Sequence, residues 1–313
     1  MPMLPIVPFE PISATAAPQG DQWIAQVKWD GVRMLAYFDG VEVRLVNRRL
    51  NDRTAQYPEL HNAAAYCRAS SFILDGELIA LDDKRPAFHE IMKRDRLKKA
   101  AYIEKAVKQV PVTFMVFDML YSEGEWLTAR TLAERQSIMN EALIPQPYVQ
   151  PVVNFTDKEG LLDLMKQHQM EGVVYKDLTS TYAIGGKDKR WQKHKIFHDL
   201  YAVVGGVTYR DKLVNALLLG VYDDAGRLHY IGHAGTGKVT MQQWRDVTKE
   251  VAKLVTPERP FADEPERARE ATWLKPTLVV KVQFMEWTPG GTMRHPSIQS
   301  FVDIAPEQCR TGQ

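Results

Sequence analysis

The apolar residues of this chain arrive in runs of strand length. Met34 to Phe38, FILDGELIAL from 72 to 81, VTFMVFDML from 112 to 120 and EGVVYK from 171 to 176 are such runs in the first two hundred residues. ALLLGVYDD from 216, RLHYIGHA from 227 and TLVVKVQFMEW from 277 follow in the remainder. Runs this short, rich in Val, Ile, Leu and Phe and bounded by Gly, Pro or Asp, commit the chain to sheets. None approaches the ~18 residues of a membrane helix.

Between the strands of the first part lie helical patterns, Ala129 to Leu143 and Asp157 to Gln169, the second behind a Thr156/Glu159 capping pair. Asp39-Gly40, set between Met34–Phe38 and Val41–Val46, predicts a two-residue hairpin turn, because Asp-Gly tolerates positive φ. Helices interleaved with hairpins predict an α+β domain on antiparallel sheet over residues 1–200. Residues 201–313 read differently, with short strands, Asp-Ala-Gly and Pro-Gly-Gly corners and one helical stretch, Met241 to Leu254. That pattern suits a small β-barrel such as an OB-fold, with Pro257 to Glu270 as an exposed loop.

The net charge of +1 decides nothing about a nucleic-acid partner, but its distribution is uneven. Residues 93–108 carry seven Lys/Arg against Asp95 and Glu104, and KDKRWQKHK at 187–195 carries five against Asp188. Each run alone reads as a solvated face. Cys67 and Cys309 fit no disulfide framework or zinc spacing. The N-terminus shows no basic segment followed by a long apolar one, so a cytoplasmic protein (bacterial cytosol or nucleoid) without membrane attachment is expected.

Several motifs rise above this background. K-x-D-G-x-R at Lys28 to Arg33 places a lysine beside a turn between strand-like runs. Asp75-Gly76-Glu77 lies inside an apolar strand pattern, and Glu171 stands at the mouth of another strand. Two carboxylates delivered by strands are what Mg²⁺ chemistry on phosphates uses. In W-x-K-x-K, Lys193 and Lys195 share one strand face, since side chains alternate with period two. Phe117 in VFDML is either core or a platform on which a base stacks. Gly232-HAGT-Gly237-Lys238 matches a phosphate-binding loop up to its last position. There Val239 replaces the hydroxyl residue, and a barrel corner explains the stretch better.

In this order the motifs resemble the nucleotidyltransferase motifs of ATP-dependent DNA ligases, and the chain is similar to small bacterial ligases and to the ligase module of bacterial end-joining enzymes. KWDGVR looks like the family's lysine motif, Arg48 in VNRRLND its arginine element, DGE the third motif and Phe117-Asp118 the adenine-stacking one. EGVV and Trp191 to Lys195 complete the set. LLLGVYDDAGRLHYIGHAGTG and EWTPGGTMRHPS resemble the family's OB domain.

The resemblance implies that Lys28 attacks the α-phosphorus of ATP to form a lysyl-AMP, and that the AMP passes to a 5′-phosphate of nicked or broken duplex DNA. A 3′-hydroxyl then displaces it, in a repair setting. It makes Lys28, Asp30, Arg33, Glu77, Glu171, Lys193 and Lys195 catalytic. Gln26, Val27, Lys28, Arg33, Arg48, Glu77, Phe117, Lys193 and Lys195 are then the nucleotide-binding set. Glu77 and Glu171 hold Mg²⁺, for which Mn²⁺ can substitute. It also implies a monomer that works with an end-binding repair protein.

Three departures stand out. Gln26 occupies a position where the family more often has a glutamate that accepts from the adenine amine, although a glutamine oxygen can still accept. Leu50 replaces a usual glycine. The C-terminal Arg-x-Asp-Lys element appears as Phe301-Val302-Asp303-Ile304, with Arg294 as a substitute for its missing arginine.

RNA ligases with ATP and RNA-capping guanylyltransferases with GTP use the same lysine motif, and an inactive nucleic-acid-binding relative would keep the fold. The full OB match and the intact lysine and carboxylates favour a DNA ligase. An NAD-dependent ligase is not expected, since the 27 residues before Lys28 are too few for the extra domain of that family.

Overall fold

Sheet formation follows the apolar runs. The computed structural model describes residues 3–82 and 85–312, and the chain divides into two units, Met1–Ile196 and Phe197–Gln313. The first unit begins with β1 (Glu10–Ser13), β2 (Trp23–Val27), β3 (Val32–Phe38), β4 (Val43–Asn47), β5 (Phe72–Asp82) and β6 (Arg85–Pro86). Two helices follow, α1 (Phe88–Asp95) and α2 (Ala100–Gln109), then β7 (Val112–Ser122), β8 (Glu125–Trp126) and α3 (Leu132–Ala142). β9 (Val149–Pro151), α4 (Lys158–Gln167), β10 (Gly172–Asp177) and β11 (Lys187–Lys195) complete the unit.

These strands form two sheets. The larger has the order β4-β3-β5-β7-β8, with β6 on β5 and β9 on β7, and the smaller has the order β1-β11-β10-β2. Pairing is antiparallel except for β1/β11 and β7/β9. Alternation along the central strands divides the core. Met34, Ala36, Leu74, Leu78, Phe114 and Val116 face one cluster. Leu35, Tyr37, Ile73, Ile79, Met115 and Phe117 face another, which takes in Trp191 of the smaller sheet, Phe9 and Tyr182. This second cluster joins the sheets, and the cavity described below lies along it.

Local chemistry moves several expected boundaries. α3 starts at Leu132 rather than Ala129, because Thr131 and Glu134 form a reciprocal capping box. α4 is capped by Asp157, whose carboxylate accepts from the backbone N–H of Gly160, and not by Thr156. It buries Leu161, Leu162 and Met165 against Ala25, Val173 and Tyr175, at roughly 2 kcal/mol each. The turn after Phe38 spans four residues, since Phe38 pairs with Val43. The Asp39 carboxylate accepts from the N–H groups of Val41 and Glu42 and so holds the longer loop.

The basic run at 93–108 is not simply a solvated face. It falls on α1 and α2, where Arg94 is fully buried, doubly hydrogen-bonded to Glu59 at 2.6 Å and bonded to the carbonyls of Gln56 and Val110. In the second run, Trp191 is buried in the core and Arg190 pairs with Asp188.

The second unit comprises β12 (His198–Arg210), β13 (Leu213–Tyr222), β14 (Leu228–Ala234), α5 (Met241–Val251), β15 (Thr272–Phe284), β16 (Glu286–Trp287), β17 (Met293–Arg294) and β18 (Ser297–Val302). Its antiparallel sheet has the order β14-β13-β12-β15-β18, and a bridge between Gly237 and Ile298 places the Gly232–Lys238 stretch at a corner of that sheet. α5 turns Trp244, Val247 and Val251, at helical spacing, into the core. The Pro257–Glu270 segment is a loop, yet it is not wholly exposed. Phe261 is 3% accessible and packs edge-on against Tyr230 and Trp273. Phe301, Val302 and Ile304 pack on the core clusters, and Arg294 pairs with Glu286 at 2.5 Å. Cys67 and Cys309 are buried free thiols. Among the described residues no helix is long and apolar enough to cross a membrane.

Candidate active site

A cavity of about 590 Å³ opens between the two sheets of the first unit. Its walls include Gln26, Val27, Lys28, Asp30, Arg33, Arg48, Glu77, Phe117, Lys193 and Lys195. Three backbone features gather them. Lys28 follows β2 directly, and its N–H donates to the Gly172 carbonyl, which ties it to the strand that begins after Glu171. A Cβ at Gly31 would stand 2.1 Å from the carbonyl oxygen of Leu78, so only glycine lets the turn after Lys28 press onto β5. Gly172 has φ +140°, and a Cβ there would meet the His194 carbonyl at 2.0 Å, which fixes glycine behind Glu171.

Glu171 does not line the cavity but stands behind two lysines that do. Its Oε2 accepts from Lys28 Nζ at 2.5 Å and its Oε1 lies 2.9 Å from Lys195 Nζ. Burial works against its charge, yet the contacts with Lys28 and Lys195 hold the Glu171 carboxyl below its usual value. Glu77 pairs with Arg33 across β3 and β5. Loss of solvent pushes its carboxyl up to about 7, against the attraction of Lys28 and Arg33 and with the repulsion of Glu171 and Asp30. Glu77 faces the cavity and repels Glu171, whose two oxygens are already taken by Lys28 and Lys195. Lys193 is lowered by burial and then by the like charges of Lys195 and Lys28.

Arg33 is held rigidly. Its Nε and Nη2 donate to Asp75 at 2.5 and 2.6 Å, and Asp75, fully buried, also accepts from Tyr182 Oη at 2.9 Å. Although burial opposes its charge, the Asp75 carboxylate keeps the guanidinium pKa above its ordinary value. The guanidinium lies 4.5 Å from the Phe117 ring centroid. Arg48 is half exposed, 3.4 Å from Glu10. Leu50, in the turn after it, adopts φ +61°, the left-handed conformation that glycine takes at no steric cost.

Sequence reasoning missed Lys176. It lines the cavity from β10, is 2% accessible, and its Nζ sits 3.9 Å from the ring centroids of both Phe117 and Trp191, with no hydrogen-bond partner among the described residues. Burial draws its pKa down to about 7, against the pull of Asp118. The signal was a lysine ending the otherwise apolar strand EGVVYK. Asp118, next to Phe117, does not reach the cavity. It is buried in a bidentate pair with Arg135 at 2.8 Å on both oxygens.

Comparison with known proteins gives the family of the chain. Residues 2–195 match the family described as ATP dependent DNA ligase domain, and residues 210–302 match the ATP dependent DNA ligase C terminal region. The chain is 31% identical over 287 residues to the multifunctional non-homologous end joining DNA repair protein LigD of Mycobacterium tuberculosis, covering 89% of this chain and 36% of that protein. With the DNA ligase of Methanopyrus kandleri it shares 30% identity over 339 residues, 98% of this chain and 58% of that one. The chain thus spans about a third of the length of the end-joining relatives it matches. The solved ligase domain of M. tuberculosis LigD superposes with a TM-score of 0.54 at 28% identity, covering 97% of both chains. A Lig E DNA ligase structure, at 19% identity and TM-score 0.59 over 93% of this chain and 99% of that one, supports the same fold of adenylation unit and OB barrel.

Proposed function

Because the chain belongs to the ATP-dependent DNA ligases, we propose that it seals 5′-phosphate/3′-hydroxyl breaks in duplex DNA through a lysyl-AMP on Lys28, as the ligase of an end-joining repair system. The observation that carries this reading is Lys28 Nζ in the cavity wall, held by Glu171 beside Lys195 and within the electrostatic reach of Glu77 and Lys193.

In the loading step Lys28 gives up its Glu171 contact and sheds its ammonium proton to water, and the free amine forms a bond to the α-phosphorus as pyrophosphate leaves. A 5′-phosphate oxygen of DNA then takes the adenylyl group from Lys28, and the 3′-hydroxyl attacks that 5′-phosphorus and releases AMP. Lys193, Lys195 and Arg48 offer positive charge to the phosphate oxygens, and Asp75 keeps Arg33 at a fixed angle in the wall. Mg²⁺ would be held by Glu77, and by Glu171 once Lys28 releases its oxygen, and would neutralise charge on the phosphates. A duplex DNA partner, an end-binding repair protein that delivers broken ends and a monomeric ligase belong to the same reading.

Incubation with α-labelled ATP and Mg²⁺ tests it. The denatured wild-type chain is expected to retain label and Lys28→Ala to retain none. Label from GTP alone, or label undiminished in Lys28→Ala, would refute the assignment.

A further inference from the structure

Gln26, two residues before Lys28 on the same side of β2, is 2% accessible and lines the cavity. A carboxylate at this position would accept hydrogen bonds with either oxygen, whereas an amide must be told which end to present. The structure supplies the instruction. Gln26 Nε2 donates to Asn154 Oδ1 at 2.8 Å, Asn154 Nδ2 donates to Gln136 Oε1 at 2.7 Å, and Gln136 Nε2 donates to the backbone carbonyl of Phe117 at 3.2 Å.

The last acceptor decides every earlier orientation. A carbonyl oxygen can only accept, so Gln136 must turn its nitrogen toward Phe117 and its oxygen toward Asn154. Asn154 must then give its nitrogen to Gln136 and its oxygen to Gln26. Reversing any one amide would oppose two oxygens or two N–H groups. Gln26 is thereby left with Oε1 for the cavity. Neither Asn154, on the loop after β9, nor Gln136, buried on α3, lines that cavity.

We propose that Asn154 and Gln136 are positioning residues for base selection, which lock Gln26 as a hydrogen-bond acceptor so that the nucleotide site takes a purine bearing a 6-amino group and rejects one bearing a 6-oxo group. This rests on the nucleotidyl-transfer reading above. A 6-oxo purine sets oxygen against oxygen at Gln26, a mismatch of about 10- to 100-fold in a buried site. Asn154 is itself exposed. Water replacing its side chain can donate or accept, and so would leave the Gln26 amide free to rotate.

The test compares the rate of covalent labelling of the full chain by α-labelled ATP and ITP, which differ only at the purine 6-position and its adjoining ring nitrogen. Wild type is expected to favour ATP. Asn154→Leu, and independently Gln136→Leu, are expected to lower the ATP/ITP ratio about tenfold. Asn154→Asp can only accept, so Gln26 Nε2 must still turn toward it and the wild-type ratio is expected to be kept, although its second oxygen then faces Gln136 Oε1 and slows both nucleotides alike. Loss of packing alone would slow both nucleotides equally, so the ratio separates positioning from structural damage. Asn154→Leu changes an exposed loop residue and serves if Gln136→Leu does not fold. An unchanged ratio in the leucine variants, a ratio lost equally in Asn154→Asp, or a wild type indifferent to the 6-position overturns the proposal. A wild type that takes no label from either nucleotide overturns the lysyl-AMP reading instead.

Discussion

Lys176→Met is the most direct probe of the aromatic slot between Phe117 and Trp191. The ammonium there is buried, 3.9 Å from both ring centroids, without a hydrogen bond among the described residues, and its pKa falls from 10.5 to about 7. In the unfolded chain the same amine titrates near ~10.4. Between these values the unfolded state holds a proton that the folded state lacks, so stability rises with pH by up to about 1.4 kcal/mol per unit. Below pH ~7 both states are protonated and the slope vanishes, leaving the full cost of the buried charge in place.

Integrated from pH 7 to pH 9, the effect comes to about 2 kcal/mol, and at pH 7 methionine relieves the native state of up to about 4 kcal/mol. The assay is urea unfolding of wild type and Lys176→Met at pH 6, 7, 8 and 9. Groups common to both proteins cancel in the difference. The variant is expected to be the more stable at pH 6 and 7, with its advantage shrinking steadily toward pH 9. A stability difference that does not change with pH would falsify the assignment of a depressed amine to this slot.

Two further substitutions test the framework. Leu50→Gly relieves a left-handed backbone at a side chain that is 45% exposed, and is expected to raise stability by about 1 kcal/mol in the same assay; a loss would show that the Leu50 side chain matters more than its φ. Arg135→Met leaves the fully buried Asp118 without its charged partner, with only the Met119 N–H, among the described residues, still donating to it, and is expected to cost about 3–5 kcal/mol. The double variant with Asp118→Asn should recover most of that loss, and a double variant as unstable as the single one would refute the pairing argument.

What could be read in the sequence depended on whether the controlling interaction was local. β5 and β7 were legible because their apolar runs are long and their faces alternate. Lys28, Glu77, Lys193 and Lys195 could be grouped because each sits in a short motif, and the structure sets them around one cavity. Glu171 could be grouped with them, but not its place behind Lys28 and Lys195. α1 and α2 were hidden under a charge pattern, since Arg94 and Asp95 look solvent-bound until Glu59, Tyr57 and Arg53 arrive from elsewhere in the chain. The four-residue turn at Asp39 turned on a side-chain bond that the Asp-Gly signal does not reveal. The amide chain that starts at Gln26 reaches 128 residues along the sequence in its first link, to Asn154, and no spacing rule predicts it.

Glu171 spends one oxygen on Lys28 and the other on Lys195. Positions 28, 171 and 195 are therefore one electrical unit in which altering any member changes the balance at the other two. The penalties of the three single replacements, whether in loading rate or in stability, will not sum to that of the triple replacement. No one of these side chains can be assigned a separate share of the reaction.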